Sequence, residues 1–254
     1  MEPTRHLEIL RTEGERLATV PADALGAAVP TMEGWTVERV LRHTGKIHQR
    51  ALAFLDAAPE PLSADAALPG MPSGPDCIPA YRQALDDLVG RFAAVDPSAP
   101  VAHFAGAATV AWWMRRQAQE VSVHRVDAQD AVHAAGGPAP DDLAADGAAD
   151  GMAEWATFFL PRWSGRAGPV PADLFGRSLH LHGTDDPTPA GGAEWFITLG
   201  AEIEVHATHA KGDVALRGPA QDLLLTLWRR RPLAALDVIG DPTVAEHLLD
   251  LVRL

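Results

Sequence analysis

The hydrophobic period of the chain changes once, at a Gly/Pro-rich stretch that covers residues 165–171. Before this stretch, apolar residues recur every three to four positions, which is the period of an amphipathic helix. After it, apolar and polar residues alternate, as they do in half-buried strands. The sequence therefore predicts an α+β protein of two domains, a helical domain at residues 1–164 and a small α+β domain at residues 165–254.

The first domain contains four long amphipathic runs, at residues 6–28, 36–55, 79–95 and 108–134. Thr36 is a candidate N-cap for the second run, because its hydroxyl can accept a hydrogen bond from the first turn. A shorter run at residues 140–160 follows a Gly-Gly-Pro stop. Four long helices joined by polar or Pro-rich loops predict an antiparallel four-helix bundle.

The second domain is predicted from segments that alternate with period two and from two amphipathic runs. The expected strands lie at residues 178–183, 194–198, 202–206, 213–216 and 236–239, and the expected helices at residues 219–230 and 242–254.

Charge and composition exclude several classes of protein. The chain has 21 basic and 34 acidic residues, a net charge of −13, and its one compact basic run is residues 229–231. We therefore expect no nucleic-acid partner, which would need a clustered positive surface. No run of ~18 apolar residues and no signal-like N-terminus is present, so we expect a cytoplasmic protein without a membrane partner. Cys77 is the single cysteine and is interpreted as a bystander thiol, because no His/Asp pattern surrounds it.

Polar residues with metal-binding chemistry follow one stripe of the fourth helix. Glu120 and His124 are one turn apart, within ~40° of each other, and can ligate one divalent ion. Arg116 and Asp127 fall on the same stripe, where the guanidinium can pair with a carboxylate and Asp127 can orient the imidazole. Most Glu-x-x-x-His pairs on helices are surface ion pairs, so the spacing alone does not establish a metal site.

The second helix supplies a third candidate ligand. His43 continues an apolar face that includes Val40 and Ile47, whereas His48 lies ~140° away and is predicted to face solvent. An inward imidazole that meets Glu120 and His124 would complete a three-ligand site. Such a site keeps one position open, as catalytic zinc sites do.

Other histidines and arginines receive separate predictions. His180 and His182 share one strand face, but no acid or cysteine accompanies them in sequence, so they are interpreted as an exposed strand. His206 and His209 are interpreted in the same way. Arg217 and Arg230 are candidates to bind a substrate carboxylate, on the condition that the second domain covers the metal.

Two stretches, residues 34–43 and 115–127, resemble the mycothiol-dependent maleylpyruvate isomerase family. The similarity continues through residues 143–147, 212–225 and 238–241. The resemblance implies a DinB-like bundle, a sterol-carrier-protein-like second domain that leans over the metal, and a metal triad on His43, Glu120 and His124. The chain departs from the family pattern at Gln119, where the family commonly has His, and at Val126, where Trp is typical.

The residues and the resemblance together predict a metal-dependent enzyme, most simply with zinc, which activates a low-molecular-weight thiol. The family implies that this thiol is mycothiol. A thiolate that adds to a small electrophile and leaves gives cis–trans isomerisation, and one that stays attached gives S-transfer. A metal-water hydrolase and a non-catalytic binding or regulatory module remain as alternatives. The oligomeric state stays open between a monomer and a homodimer.

Overall fold

The computed structural model describes residues 1–63, 66–104, 106–167, 170–185 and 192–252, with the backbone alone for residues 165–167. The chain forms two compact units, residues 1–141 and residues 142–254. The first unit is mainly helical and the second contains a five-stranded sheet, so the α+β prediction is confirmed.

Four long helices form the first unit as a bundle. Two of them, α1 and α2, each pack against both α3 and α4, and a buried apolar core fills the space between the four. The bounds of these helices are α1 Pro3–Ala18, α2 Val37–Ala57, α3 Cys77–Ala93 and α4 Val110–Ala134, with short 3-10 turns at Ala22–Ala24 and Gly74–Asp76.

Local sequence fixes where several of these helices begin and end. The Thr36 hydroxyl accepts from the Arg39 amide at 3.3 Å and begins α2, as predicted. The first helix ends at Ala18, ten residues before its expected end, because Pro21 disfavours helical geometry in the residue before it. A two-stranded hairpin that the sequence did not predict, β1 (Pro100–His103) and β2 (Gly106–Thr109), precedes α4.

The second unit opens with helices and continues into the sheet. The sheet order is β5-β4-β3-β6-β7, in which β3 and β6 are parallel and the other neighbours are antiparallel. Both α7 and α8 pack against β3 and β6. The bounds are α5 Ala145–Glu154, a π-helical turn Trp155–Phe159, α6 Leu160–Ala167, β3 Ser178–Gly183, β4 Glu194–Thr198, β5 Glu204–His206, β6 Val214–Gly218, α7 Ala220–Leu227, β7 Asp237–Gly240 and α8 Pro242–Asp250, with 3-10 turns at Ala172–Leu174 and Leu233–Ala235.

The division between the units differs from the expected one. We expected it at 164/165, where the hydrophobic period changes, but the compact units meet at 141/142. The reason is that α5 packs against α7, so the helical segment before the linker joins the sheet-containing unit. Gln221 on α7 strengthens this association, since its side chain accepts from the Leu143 amide at 2.8 Å and donates to Asp142 at 3.0 Å.

The helices in the described part of the chain are all too short or too polar to cross a membrane.

Candidate metal centre

Three side chains of the first unit converge as the sequence predicted. Glu120 and His124 lie one turn apart on α4, and α2 packs against α4 so that His43 meets them. The His43 Nε2 and His124 Nε2 atoms lie 3.1 and 3.3 Å from Glu120 Oε1. One ligand atom from each residue lies within 4.8 Å of the other two, a spacing that a single ion can bridge.

Two neighbours on α4 hold the candidate ligands in place. The His124 Nδ1–H donates to Asp127 Oδ2 at 2.9 Å, and the carboxylate of Asp127 is fully buried. This bond directs the second ring nitrogen of His124, Nε2, toward Glu120. It also makes Nε2 more basic, as carboxylates behind metal-binding histidines do. Arg116 donates to Glu120 Oε2 at 2.5 Å, so the Oε1 atom is the one that faces the two imidazoles.

The electrostatics of the cluster favour the ionised form of Glu120 and a positive charge beside it. Burial raises the pKa of Glu120, but hydrogen bonds from His124 and His43 outweigh it and hold that pKa well below 4.5. Burial lowers the pKa of His124, whereas hydrogen bonds to Asp127 and Glu120 raise it, with a net result of about 9. The metal-free cluster therefore holds a proton on His124, and a metal ion would have to displace that proton.

Trp35, which lies just before the N-terminus of α2, packs against both histidines of the cluster. Its ring stacks on His124, with the ring centroids 5.7 Å apart, and meets His43 edge-on at 5.1 Å. The side chain of His43 is 35% exposed to solvent, whereas that of His124 is 10% exposed. The cluster therefore opens to solvent on the His43 side.

A cleft on the outer face of α2 adjoins His43. Its cationic members, Arg39, Arg42 and Lys46, are three and four residues apart on α2, and Glu38 is the acidic member. The remaining lining comes from Trp35 and Thr36. The sequence analysis did not single out these cations. Their spacing of three and four residues from one another was the signal that could have identified them.

The prediction that His48 faces solvent is wrong. Its side chain is fully buried, and its Nδ1–H donates to Gln117 Oε1 at 2.7 Å. The buried stripe of α2 runs through Val40, Thr44, His48 and Leu55, so His48 lies at its centre and His43 at its edge. The stripe is wide because α2 packs against two helices, α3 and α4.

The two remaining candidate arginines lie in the second unit. Arg217 is exposed on β6, with its guanidinium 3.9 Å from Asp237, and Arg230 follows α7 and donates to the Trp228 carbonyl at 2.7 Å. The role of Arg217 and Arg230 toward a substrate carboxylate stays a prediction.

The interpretation of His180 and His182 as part of an exposed strand without an acid is also wrong. His206 and His209 are exposed as expected, but His209 does have an acid beside it. His180 is only 5% exposed, and its Nε2 lies 2.6 Å from Glu194 Oε2. His182 and His209 approach the same carboxylate. An acid does accompany these histidines, but it comes from β4, twelve residues after His182 in sequence.

The donor set of the first cluster fits a divalent transition metal. Two imidazoles and one carboxylate are ligands that zinc commonly accepts, and three protein ligands leave one coordination position open. The hydrogen bond from His124 to Asp127 supplies the second-shell partner that such sites use.

Comparisons with known proteins agree across nearly the whole chain. The family model described as "Mycothiol maleylpyruvate isomerase N-terminal domain" matches residues 7–129, and the "MDMPI C-terminal domain" model matches residues 142–247. Two solved structures are similar, a crystal structure of a histidine-to-alanine mutant of the mycothiol-dependent maleylpyruvate isomerase and one of that isomerase itself. Each is 14% identical and aligns over 94% of this chain and 93% of the other, with TM-scores of 0.60 and 0.58. Identity this low shows a shared fold alone. The search of curated proteins gave no significant match.

Proposed function

The chain belongs to the mycothiol-dependent maleylpyruvate isomerase family, and from this premise we propose that it is a metal-dependent enzyme that uses a low-molecular-weight thiol. The site of this activity is the cluster of His43, Glu120 and His124. The observation that carries the proposal is the convergence of their ligand atoms within 4.8 Å of one another.

The donor set favours zinc with an anionic fourth ligand. Two neutral imidazoles and one carboxylate leave a divalent ion with a net positive charge. Such an ion lowers the pKa of a bound thiol, which supplies a thiolate near neutral pH. The soft sulfur of a thiolate also competes well for zinc against oxygen ligands.

The surrounding residues position the ligands and the substrate. Asp127 fixes the ring of His124, and Arg116 holds Glu120 through its second oxygen, so both ligands are ordered before any metal arrives. Because the open side of the cluster lies at His43, the thiol and the substrate would enter there. The cations Arg39, Arg42 and Lys46 of the adjoining cleft favour a substrate that carries carboxylates.

The reaction follows from the chemistry of a thiolate. Addition to an activated double bond forms a C–S bond and leaves a single bond that rotates. Expulsion of the thiolate then restores the double bond as the other isomer, with no net change in atoms or electrons. If the sulfur instead stays attached and the carbon takes a proton, the outcome is S-transfer.

Turnover of an electrophilic substrate with and without a thiol tests the proposal. The assay follows maleylpyruvate with the zinc-loaded protein, in the presence and absence of mycothiol. We expect turnover only with the thiol, and loss of most activity in His43→Ala and in His124→Ala. His133→Ala is the matched control, because His133 lies exposed at the end of the same helix α4.

The other outcomes separate the competing functions. Turnover at the same rate without any thiol would replace the proposal with a metal-water hydrolase. If a metal-loaded protein turns over no electrophile with any thiol, the binding-module interpretation replaces it.

A further inference from the structure

A second cluster of metal-binding side chains lies entirely within the second unit. His180 and His182 are alternate residues of β3 and therefore share one face of the sheet. In the antiparallel register, Glu194 of β4 pairs directly opposite His182, on that same face. His209, in the segment after β5, completes the group. One ligand atom from each of the four residues lies within 4.8 Å of the others.

We propose that His180, His182, Glu194 and His209 bind a second divalent transition-metal ion, which ties β3, β4 and the segment after β5 together. This site is independent of the proposed function, since none of its residues belongs to the His43 cluster.

The carboxylate of Glu194 is the centre of the cluster. Its Oε2 lies 2.6 Å from His180 Nε2 and 3.3 Å from His209 Nδ1, while its Oε1 lies 2.5 Å from His182 Nδ1. The three imidazole rings crowd around it, with centroid separations of 4.7 to 5.7 Å. Three imidazole nitrogens thus converge on one acid.

The contact between His182 and Glu194 is the closest one in the cluster. His182 Nδ1 is closed off from solvent and lies 2.5 Å from Glu194 Oε1, but the two groups are not aligned as a regular hydrogen bond. A metal ion between them would be bound by the nitrogen lone pair and by the carboxylate.

The donor types select the class of ion. Three imidazoles and one carboxylate suit zinc and its neighbours in the first transition row, whereas calcium and magnesium prefer oxygen ligands. Four protein ligands complete a tetrahedral shell, which is the pattern of structural rather than catalytic zinc. His209 closes the shell from the solvent side, where its side chain is 71% exposed.

The arginine that pairs with His182 in the sheet is directed toward another acid. Arg217 of β6 pairs opposite His182 in the parallel register, but its guanidinium lies 3.9 Å from Asp237 on β7. Arg217 therefore approaches an acid on the side of β6 away from β3 and β4.

Metal content of the full-length chain tests the proposal. Protein stripped with a chelator is equilibrated with zinc, desalted through a weak chelator and analysed for metal per chain. We expect about two ions in the wild type, about one in His209→Ala or Glu194→Gln, and about one in His43→Ala. His206→Ala is the matched control, because His206 is an exposed neighbour on β5 outside the cluster.

The thermal midpoint provides the second readout. Zinc should raise the midpoint of His43→Ala, in which the first site is disabled, because an ion bound only by the folded state stabilises it. We expect Glu194→Gln in that background to weaken zinc binding at least about tenfold and to abolish the rise in midpoint. His209→Ala guards against misfolding, since it replaces an exposed side chain.

Each outcome decides for or against the second site alone. Retention of one zinc ion per chain by His43→Ala, lost on further replacement of Glu194 or His209, supports it. Absence of zinc from folded His43→Ala, or a content that His209→Ala and Glu194→Gln leave unchanged, overturns it. Neither result bears on the thiol dependence of the first site.

Discussion

Glu120 and His124 illustrate what the sequence can predict at the scale of single residues. One helical turn separates them, so their proximity follows from spacing alone. Asp127 was predicted as the residue that orients an imidazole, and it accepts from His124 in the structure. These predictions depended on one helix and required no knowledge of how the chain packs.

The residue-scale errors arose where packing between elements decides the outcome. His48 is buried because α2 contacts two other helices, and the phase of one helix does not reveal how many partners cover it. Glu194 joins His180 and His182 through the register between β3 and β4. The sequence of either strand alone does not show which of its residues will lie opposite which residue of the partner strand.

The buried imidazole of His48 makes stability depend on pH. Burial lowers its pKa from 6.5 in the unfolded chain to about 4 in the folded protein. Between these values the unfolded state binds the extra proton, so stability is lost as the pH falls from about 6.5 to about 4. The shift corresponds to at most about 3 kcal/mol.

Urea unfolding at a series of pH values measures this effect. His48→Gln, which does not titrate, should show a flatter dependence of the unfolding free energy between pH 4 and 6.5. An unchanged slope in the variant would show that other groups cause the loss of stability.

At the scale of elements, prediction was accurate where the hydrophobic pattern was strong. The strands Ser178–Gly183 and Glu194–Thr198 have the expected bounds, and α4 ends at Ala134 as expected. The hairpin of β1 and β2 was missed because its strands have four residues each and little alternation of polarity. Short Ala/Gly segments do not distinguish a strand from the start of a helix.

A buried ion pair links two helices of the bundle. Arg125 on α4 is fully buried, and its Nε donates to Glu13 Oε2 on α1 at 2.6 Å. We expect Glu13→Ala to destabilise the fold by about 3–5 kcal/mol, because it leaves a buried guanidinium without its carboxylate. The midpoint of urea unfolding measures this change.

Glu8→Ala is the matched control on the same helix. Glu8 pairs with Arg5 at 3.1 Å, but its side chain is largely exposed, and exposed pairs contribute at most about 1 kcal/mol. Similar losses in the two variants would contradict a structural role for the buried pair.

At the scale of the whole molecule, the period change in sequence and the division of the fold are separate features. The period changes at residues 165–171, whereas the compact units divide at 141/142. Helical periodicity reports local structure, and it does not report which neighbour buries the apolar face of a helix. Met152 and Trp155 show this, because they are buried within the unit that contains the sheet.

Two truncated chains distinguish these boundaries. We expect residues 1–141 to remain helical and to bind one metal ion, because they contain the complete bundle and all three ligands. Residues 1–164 should aggregate more, since α5 would lack α7 as its packing partner. Circular dichroism and light scattering check both expectations, and a well-behaved 1–164 with an unfolded 1–141 would favour the boundary that the sequence suggested.

The central claim is that the His43 cluster brings a metal ion and a thiol together. Cobalt(II) substitution of the full chain, followed by titration with mycothiol, tests this most directly by absorption spectroscopy. We expect a saturable sulfur-to-metal charge-transfer band that grows with pH through an apparent pKa below the ordinary thiol value of ~8.5. The band should be lost in His43→Ala and retained in His209→Ala. A fully cobalt-loaded protein that shows no band at any thiol concentration would contradict the claim.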